Sequence, residues 1–423
     1  MIRIFVNGLA ASAGAGLTYL HNVVPHLSAL PEVRTTLVVQ PNLRDSFNRF
    51  RNVELICPQG ISGTARRFCF EQWKLPDLIR KARAEVLISA GNFALRKSPV
   101  PQILLSGNSL YTSADFYRDL LRRREYAMLA DDFVKGALAN KSVHWADQTV
   151  APSQAFADEL RRWTGREVAV IHHGFDHAAF FGGEVQLSAD VQRKLDETEG
   201  CLRLLFVSHY NYYRNFETLL RAVPLIQKLV PEKRVKLFLT CKLEPGTNPG
   251  AYDGSFAGQL VHDLGIKDSV VQLGAVPYGS LHYLYRACDI YVTAAYAETF
   301  GHPLVEAMAS GLPIVASDLA VHREICGDAG RYFPRFSPES LAESVAGVAR
   351  FSNIRSQFSL TAKRRSTEFS WVEHIKQLLF LATSLQTRPD TGRLPNVQTD
   401  FRSLLPQQKS NLARNRIMQG IRS

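Results

Sequence analysis

Short runs of apolar residues alternate with longer amphipathic segments along most of the 423-residue chain. A short apolar run between turn residues is typical of a buried strand, whereas apolar residues three or four positions apart are typical of a helix. Their alternation predicts parallel sheets covered by helices. In the first half the pattern predicts seven strands: Ile2–Val6, Thr35–Val39, Val53–Cys57, Val86–Ser89, Ile103–Leu105, Thr149–Ala151 and Val168–Ile171.

A second series of the same kind begins at Leu202. Its predicted strands lie within RLLFVS, VKLFLT, VVQLGAV, DIYVTA and PIVAS. Its predicted helices are NFETLLRAVPLIQKL, a segment starting near Pro303, and TEFSWVEHIKQLLFLATSL. In the first half, helices are predicted from about Leu17 to Leu30 and from Ser153, as the N-cap, to Arg162. Two series in a chain of this length predict two domains.

The composition is that of a folded globular chain, with 46% hydrophobic and 21% charged residues. No run of about 18 apolar residues predicts a membrane span. The start, MIRIFVNGLA, predicts a strand entering a loop rather than a signal peptide, so we expect a cytoplasmic protein. The six cysteines have no paired spacing, which predicts free buried thiols rather than a disulfide framework or a zinc site.

The net charge of +11 calls for a negatively charged partner. From Arg388 onward, seven Lys/Arg and two Asp contribute +5 of it. No nucleic-acid-binding signature accompanies the charge, so a phosphorylated substrate or an anionic membrane surface is favoured over nucleic acid.

Basic and aromatic residues of the first half predict docking on an anionic inner leaflet, peripheral to the membrane. A solvated basic face and a soluble acceptor form the alternative. The basic residues are Arg66, Arg67, Arg80, Lys81, Arg96, Lys97, Arg122, Arg123 and Arg124, and the aromatic residues are Phe68, Phe70 and Trp73.

The densest cluster of chemistry-bearing residues is Ala297–Ser317, which reads AETFGHPLVEAMASGLPIVAS. Gly301 and Pro303 mark a loop turning into a helix, because proline is favoured in a helical first turn. The N–H groups of Leu304 and Val305 are predicted to be free there. The N-terminal end of a helix carries positive charge, which suits a diphosphate.

Two carboxylates flank this predicted helix end. Glu298 lies in the loop before the helix, and Glu306 lies one turn inside it. A sugar or ribose bound there could donate hydroxyl hydrogen bonds to one carboxylate on each side. Because helices contain glutamate freely, the inference rests on the whole arrangement after DIYVTA rather than on Glu306 alone.

The segment resembles the retaining nucleotide-sugar glycosyltransferases of family 4, whose hallmark is two glutamates separated by seven residues, with FG and P between them. The resemblance implies the GT-B fold, an α/β architecture in which two Rossmann-like domains with parallel sheets face a central cleft. It also implies that Glu298 faces the transferred sugar and Glu306 the ribose. The matching residues are Glu298, Phe300, Gly301, Pro303, Glu306, Ala307, Gly311 and Pro313.

Upstream, this chain departs from the family. After the strand within RLLFVS, relatives carry Gly-Arg and then Lys, whose cations bind the diphosphate. Here Ser208 and His209 replace the first pair, and Arg214 replaces Lys. Arginine can bind phosphate bidentately, whereas histidine is only partly charged near neutral pH. A loop histidine with no ligand role is the alternative for His209. The loop around Val276 resembles the nucleobase-binding stretch.

The N-terminal half carries a weaker signal. Gly14 and Gly16 precede a helix, where a backbone can approach a ligand closely. The loop lacks the spaced glycines of dinucleotide sites, which argues against a nicotinamide enzyme. The resemblance places both glycines near the donor phosphates and Asn108 where relatives have a histidine that contacts the sugar. Three other histidines are expected to be structural or to lie at the rim: His172, His173 and His177.

The resemblance also suggests a division of the chain. Residues 1–185 are expected to form the N-terminal acceptor domain, 186–201 a linker, and 202–371 the C-terminal donor domain. Residues 372–386 would form a helix that crosses back to the first domain, and 387–423 a basic, mobile tail.

We therefore expect an enzyme that moves a hexose-type sugar from a nucleoside-diphosphate sugar to a saccharide or lipid-linked acceptor, with retention, in cell-surface polysaccharide synthesis. The nucleotide sugar is a substrate, so no cofactor is expected. No DxD pair follows a strand, so cations and the helix end would replace a metal. A nucleotide-sugar epimerase of the same fold and a non-catalytic carbohydrate-binding relative are the alternatives.

Overall fold

The computed structural model describes residues 1–11, 14–61, 63–247, 252–350 and 352–386. The predicted tail, residues 387–423, lies outside them. In the described part the chain forms two fully parallel sheets of seven and six strands, covered by helices. This is the α/β architecture that the alternating pattern predicts.

All seven predicted strands of the first sheet are confirmed, within one or two residues at their ends. They run in the spatial order β3-β2-β1-β4-β5-β6-β7. The strands are β1 (Ile2–Asn7), β2 (Val33–Val38), β3 (Val53–Ile56), β4 (Val86–Ala90), β5 (Gln102–Leu105), β6 (Gln148–Ala151) and β7 (Val168–Val170).

The second sheet has the order β10-β9-β8-β11-β12-β13. Five of its strands match the prediction, and β13 was not predicted because GRYF is short, begins with glycine and is mostly half-buried at the sheet edge. The strands are β8 (Leu202–Phe206), β9 (Val235–Leu239), β10 (Val270–Gln272), β11 (Ile290–Thr293), β12 (Ile314–Ser317) and β13 (Gly330–Phe333).

Nine helices in the described part precede the second sheet. The prediction of Ser153 as an N-cap is confirmed, because its Oγ accepts a hydrogen bond from the Phe156 N–H. The helices are α1 (Gly14–Ser28), α2 (Arg44–Phe47), α3 (Thr64–Trp73), α4 (Leu75–Lys81), α5 (Ala114–Arg123), α6 (Tyr126–Trp145), α7 (Gln154–Thr164), α8 (His177–Phe181) and α9 (Ala189–Asp196).

Eight further helices in the described part lie within or after the second sheet. They are α10 (Phe216–Leu229), α11 (Ser255–Asp263), α12 (Leu281–Ala287), α13 (His302–Ala309), α14 (Ala320–Cys326), α15 (Pro338–Arg350), α16 (Ser352–Ser366) and α17 (Trp371–Gln386). Helix α17 returns to the first sheet, where Ile375, Leu378 and Leu381 are buried in one cluster with Ile4 and Val6 of β1.

Both sheets have a switch point in their strand order. Strands β1 and β4 are neighbours in the first sheet, and β8 and β11 are neighbours in the second, although each pair is separated by two strands along the chain. In open parallel sheets, ligands bind beyond the carboxyl ends of such neighbouring strands. The loops after these four strands are therefore where a site is expected.

The six cysteines are free, as predicted; Cys57 and Cys69 are half-buried and the other four are buried. Among the described helices, none is long and apolar enough to cross a membrane.

Candidate functional site

The predicted loop and helix are formed by the chain after β11. Gly301 directly precedes α13 with a φ of 84°, in the left-handed region that favours glycine. A Cβ at this position would lie 2.8 Å from Leu304 Cδ1. Pro303 lies in the first turn of α13, as predicted. The backbone before Glu306 is thus fixed in a tight entry turn.

The prediction that the N–H groups of Leu304 and Val305 are free is wrong. The Leu304 N–H donates to the Gly301 carbonyl at 2.9 Å. Because α13 begins at His302, the same carbonyl also accepts the first helical bond, from Val305. Helices leave the N–H groups before that point without a helical acceptor, so the donors for an anion are expected at Gly301 and His302.

Glu298 and Arg214 form a partly buried ion pair. Arg214 lies in the turn after β8 and Glu298 in the loop after β11, at the switch point of the second sheet. Arg214 Nη1 lies 2.5 Å from Glu298 Oε2. Burial raises the pKa of Glu298, but the Arg214 guanidinium outweighs it and lowers that pKa to about 2. Both predicted site residues therefore hold each other in their charged forms.

Two further atoms of this pair bear on ligand binding. The Thr299 N–H donates to Glu298 Oε1 at 3.0 Å. Arg214 Nε is buried and has no hydrogen-bond partner among the described residues. It is therefore a buried donor that is left unsatisfied, which is uncommon in folded proteins. Diphosphate binding by Arg214 stays a prediction, now with a specific donor.

Glu306 is buried one turn inside α13. The Tyr285 O–H, from α12, donates to Glu306 Oε2 at 2.8 Å. Burial raises the pKa of Glu306 to about 7, with the Tyr285 hydrogen bond opposing it. Near neutral pH this group can therefore accept a hydroxyl hydrogen bond in one protonation state and donate one in the other. Nothing in the apolar pattern of α12 marks Tyr285 as its partner.

His209 is exposed and lines a cavity of about 310 Å³ beside the second sheet. Thr240 and Lys242 lie in the wall of this cavity, and the sequence did not predict them. Both follow the carboxyl end of β9, and ligands of open parallel sheets bind beyond that end of the strands. Val276, in the loop after β10, is half-buried next to this wall. The wall is formed by His209, Thr240, Cys241, Lys242, Thr247, Gly274 and Ala275.

Opposite the second sheet, a cavity of about 110 Å³ opens at the carboxyl ends of the first sheet. Thr299 contributes to its wall from the second half and directly follows Glu298, which is not itself a wall residue. Gly16 lies in its wall, and Gly14 begins α1 two residues earlier. The wall is formed by Gly16, Tyr19, Ala90, Gly91, Asn92, Leu105, Ser106, Gly107, Val150, Ala151, Pro152, Ile171, His173, Thr299 and His374.

Asn108 is not among these wall residues. Its Oδ1 accepts a hydrogen bond from the Leu110 N–H and so caps the short helical turn at Ser109–Thr112. Asn92 lies in the wall instead, with its Oδ1 accepting from the Gly107 N–H at 2.7 Å. Both asparagines follow a strand of the first sheet, Asn92 after β4 and Asn108 after β5, but the wall ends at Gly107 on the second of these loops.

The two halves of the chain are joined beside this cavity. The Ser153 O–H donates to the Thr299 carbonyl at 2.7 Å. Glu324, on α14, accepts hydrogen bonds from the N–H groups of Gln154 and Ala155, at the N-terminus of α7. It also contacts His172 Nε2 at 2.7 Å. Burial raises the pKa of Glu324, but these hydrogen bonds outweigh it and hold it below its ordinary value.

A cluster of buried and half-buried rings lies at the same junction. His173 stacks on His302, with ring centroids 5.2 Å apart, and on Trp371. The Tyr19 hydroxyl lies 2.9 Å from His374 Nε2. Burial lowers the pKa of His302 and of His374 to about 4, and that of His173 well below its ordinary value. These rings are therefore neutral at neutral pH and contribute no charge to anion binding.

The cluster Arg122–Arg124 is not the free basic surface that the sequence suggested. Arg122 Nη2 lies 2.8 Å from Asp119 Oδ1, and Arg123 Nε lies 3.0 Å from Asp119 Oδ2. Both guanidinium groups also pair with Glu217 of α10. Only Arg124 of the three is exposed without such a pair among the described residues. The expectation of an exposed basic residue is wrong for Arg123, whose side chain is 14% exposed, whereas the Arg122 side chain is 64% exposed and its part in docking stays a prediction.

No group of three or more His, Cys, Asp or Glu side chains is placed to hold a metal ion in the ranges that the structure describes. The expectation of a metal-free reaction stays a prediction.

The family described as glycosyl transferases group 1 matches residues 189–365. A D-inositol 3-phosphate glycosyltransferase 2 from Catenulispora acidiphila is 28% identical over 231 residues, 53% of this chain and 53% of the relative. An alpha-monoglucosyldiacylglycerol synthase from Streptococcus pneumoniae is 25% identical over 266 residues, 59% of this chain and 56% of the relative. The chain thus spans about half the length of the curated relatives it matches.

Solved structures resemble the chain over most of its length. A sucrose-phosphate synthase from Thermosynechococcus elongatus has a TM-score of 0.71 at 18% identity, covering 91% of this chain and 99% of that chain. The Anabaena protein HepE, in complex with UDP-glucose, has a TM-score of 0.66 at 17% identity, covering 91% and 100%. These likenesses confirm the predicted GT-B fold.

Proposed function

Because residues 189–365 match the glycosyl transferases group 1 family, we propose that this chain is a retaining glycosyltransferase. It takes a hexose-type sugar from a nucleoside-diphosphate sugar and transfers it to a saccharide or lipid-linked acceptor, in the synthesis of a cell-surface polysaccharide. The similar Anabaena protein was solved with UDP and with UDP-glucose, which makes a uridine donor the first one to test.

The proposal depends on where the Arg214–Glu298 pair lies. It stands between a helix end that suits an anion and a cavity that could hold a sugar. On one side lies the N-terminal end of α13, with Glu306 one turn inside. On the other side lies the cavity of the first sheet, to whose wall Thr299 contributes. A donor that spans these features would place its diphosphate at Arg214 Nε and its sugar between Glu298 and the cavity.

Such an arrangement supports a defined exchange of bonds. The bond from the anomeric carbon to the diphosphate oxygen breaks, and the acceptor hydroxyl oxygen bonds to the same carbon. The acceptor's proton leaves with the nucleoside diphosphate. Arg214 and the helix end would stabilise the charge that develops on the leaving group. The ionised Glu298 would hold the sugar hydroxyls, and closure of the two halves would exclude water.

The first test is a thermal-shift panel of UDP, GDP, ADP and their sugars, followed by transfer assays with the sugar that stabilises most. We expect stabilisation by one base and transfer in excess EDTA. Isomerised sugar without acceptor would identify an epimerase. Stabilisation by none of these ligands would overturn the proposed function, and activity lost in EDTA and restored by manganese would reveal a metal site.

We also propose that the acceptor is met at an anionic membrane surface. The structure narrows the predicted surface, because Phe68 and Phe70 are half-buried and Arg122 and Arg123 are paired. Trp73 is 73% exposed and supports the proposal. Exposed basic residues on and after α3 and α4 surround it in sequence: Arg66, Lys74, Arg80, Lys81, Arg96 and Lys97.

Sedimentation with vesicles of increasing phosphatidylglycerol content tests this surface. The double variant Arg66→Glu/Lys81→Glu should bind at least about 2 kcal/mol more weakly than the parent protein, since each basic residue contributes about 1 kcal/mol. Arg193→Glu, on the exposed face of α9, is the matched control. Protein that stays in the supernatant at low salt, with or without residues 387–423, would contradict membrane docking.

A further inference from the structure

Helix α5 belongs to the first half of the chain but is buried in the second. Phe116 and Leu120 are fully buried in one hydrophobic cluster with β8, α10 and β11. Phe116 also meets the Tyr213 ring edge-on, with centroids 6.4 Å apart. The first half is therefore anchored to the second by a helix as well as by the junction at Glu324.

Asp119 is the polar centre of this contact. It is 8% exposed and accepts hydrogen bonds from Arg122, Arg123 and the Tyr296 hydroxyl, the last at 2.8 Å. A buried carboxylate with several charged donors is held firmly, because losing one partner leaves the others unsatisfied. Glu217, from α10, accepts hydrogen bonds from the Nη2 groups of both arginines.

The residues that donate hydrogen bonds to Asp119 lie close to Glu298 and Arg214, the two residues predicted to bind the nucleotide sugar. Tyr296 precedes Glu298 by two residues, and its N–H donates to the Tyr213 carbonyl at 2.9 Å. Tyr213 in turn directly precedes Arg214. On the other side, the Arg123 guanidinium lies 4.3 Å from the ring centroid of Tyr212.

The same turn is held at a second point, because the Tyr212 hydroxyl donates to Glu125 Oε1 at 2.7 Å. Residues at the end of α5 and just after it thus fix both backbone segments that carry the ion pair. Neither the nucleobase loop at Val276 nor Glu306 takes part in these contacts.

We propose that Asp119 is a positioning residue for the Arg214–Glu298 pair. Through Tyr296 and Arg123 it ties the loops after β8 and β11 to a helix of the opposite half. The geometry of the diphosphate site then depends on the docking of the two halves, whereas binding of the nucleoside does not. The inference rests on the proposed function, in which this pair holds the diphosphate and the sugar.

The test compares Asp119→Asn, Tyr296→Phe and the double variant. Dissociation constants are measured by calorimetry for the tightest of UDP, GDP and ADP, and for its nucleoside by competition. We expect each single variant to bind the diphosphate about tenfold more weakly, the worth of one charged hydrogen bond, and the nucleoside unchanged. The loss in the double variant should be smaller than the product of the two single losses, because both substitutions weaken the Asp119–Tyr296 contact, whereas Asp119→Asn alone also weakens the pairs with Arg122 and Arg123.

Asp131→Asn, on α6, is the control, because Asp131 is exposed and forms its one ion pair in the described structure with Lys135. Tyr296→Phe keeps the ring and so guards against a variant that fails to fold. Unchanged diphosphate affinity in both single variants, equal losses for nucleoside and diphosphate, or losses that multiply in the double variant would overturn the inference alone. A parent protein that binds none of the three diphosphates would overturn the proposed function, and the inference with it.

Discussion

Replacing Arg214 with methionine is expected to slow sugar transfer by about 10- to 150-fold, the equivalent of one lost charged hydrogen bond of about 1.5–3 kcal/mol. It is also expected to destabilise the fold by about 3–5 kcal/mol. The two effects have different causes: transfer slows because the diphosphate loses the Arg214 donor, and the fold is destabilised because Glu298, whose side chain is only 13% exposed, is left without its cation. Its pKa, now held at about 2 by that cation, should rise.

A double variant separates the two effects. Arg214→Met combined with Glu298→Gln removes both charges with little change in volume, so much of the lost stability should return. The transfer rate should not return, because neither the diphosphate donor nor the sugar-binding carboxylate is restored. An exposed ion-pairing residue, Arg193→Met, serves as the control and should change neither quantity.

Glu306→Ala provides the contrast within the same site. Glu306 lies apart from the ion pair and contacts Tyr285, so its loss should weaken nucleotide binding more than it slows transfer. Calorimetry and steady-state kinetics measure the two quantities separately.

Normal transfer and normal stability in Arg214→Met would contradict the assignment of the ion pair to the site.

Much of the fold could be predicted because strand and helix periods differ and are written locally in the chain. Twelve of the thirteen strands in the described part have such a signal. The exception, β13, is a short edge strand, which needs no continuous apolar run because only part of it is buried.

The candidate site was only half predictable. Glu298, Glu306 and Arg214 stand in recognisable sequence contexts, but the contact between Glu298 and Arg214 depends on β8 and β11 being neighbours in the sheet. Positions along the chain do not show which strands are neighbours in the sheet. Once the doubly wound strand order is known, it shows which loops meet at the site.

Hydrogen bonding at the end of α13 could not be read from sequence either. The pattern of Gly301 and Pro303 correctly predicts a loop entering a helix. It does not reveal that the first turn is tight enough for the Leu304 N–H to donate a hydrogen bond to the Gly301 carbonyl. That contact depends on the φ of one glycine. Likewise, Arg122 and Arg123 read as a basic cluster until α10 brings Glu217 against them.

The ring cluster at the junction predicts a strong acid sensitivity of the fold. His374 is 2% exposed, and its Nδ1 lies 2.8 Å from the His172 carbonyl, which can only accept. Nδ1 therefore carries the hydrogen, and Nε2 accepts from Tyr19. A second proton, on Nε2, would end the hydrogen bond that the Tyr19 O–H donates, and it would add charge beside His172 and His26. The neutral ring is the form that the folded state holds.

The sign of the effect follows from linkage. The pKa of His374 is lowered from 6.5 to about 4, so below pH 6.5 the unfolded chain binds the extra proton and the folded chain does not. The stability is fully present above pH 6.5 and is lost as the pH falls toward 4. At pH 5 the loss is about 2 kcal/mol for His374, and the same for His302, whose pKa is also about 4.

Glu306 acts in the opposite direction. Its pKa is raised from 4.5 to about 7, so its protonation stabilises the folded state as the pH falls from 7 to 4.5. At pH 5 this gain is about 2 kcal/mol and offsets one histidine. With His173 lowered as well, the net change still favours unfolding.

The test compares the pH dependence of the unfolding free energy in the parent protein and in His374→Gln. Glutamine can accept from Tyr19 and donate to the His172 carbonyl, but it does not titrate. Between pH 7 and pH 5 the unfolding free energy from urea titrations, followed by tryptophan fluorescence, should fall by about 2 kcal/mol less in this variant. His262→Gln, at a side chain that is 84% exposed, is the control and should follow the parent protein. If His374→Gln and the parent protein lose stability in parallel, His374 is not held neutral at the junction, and the acid sensitivity must come from other groups.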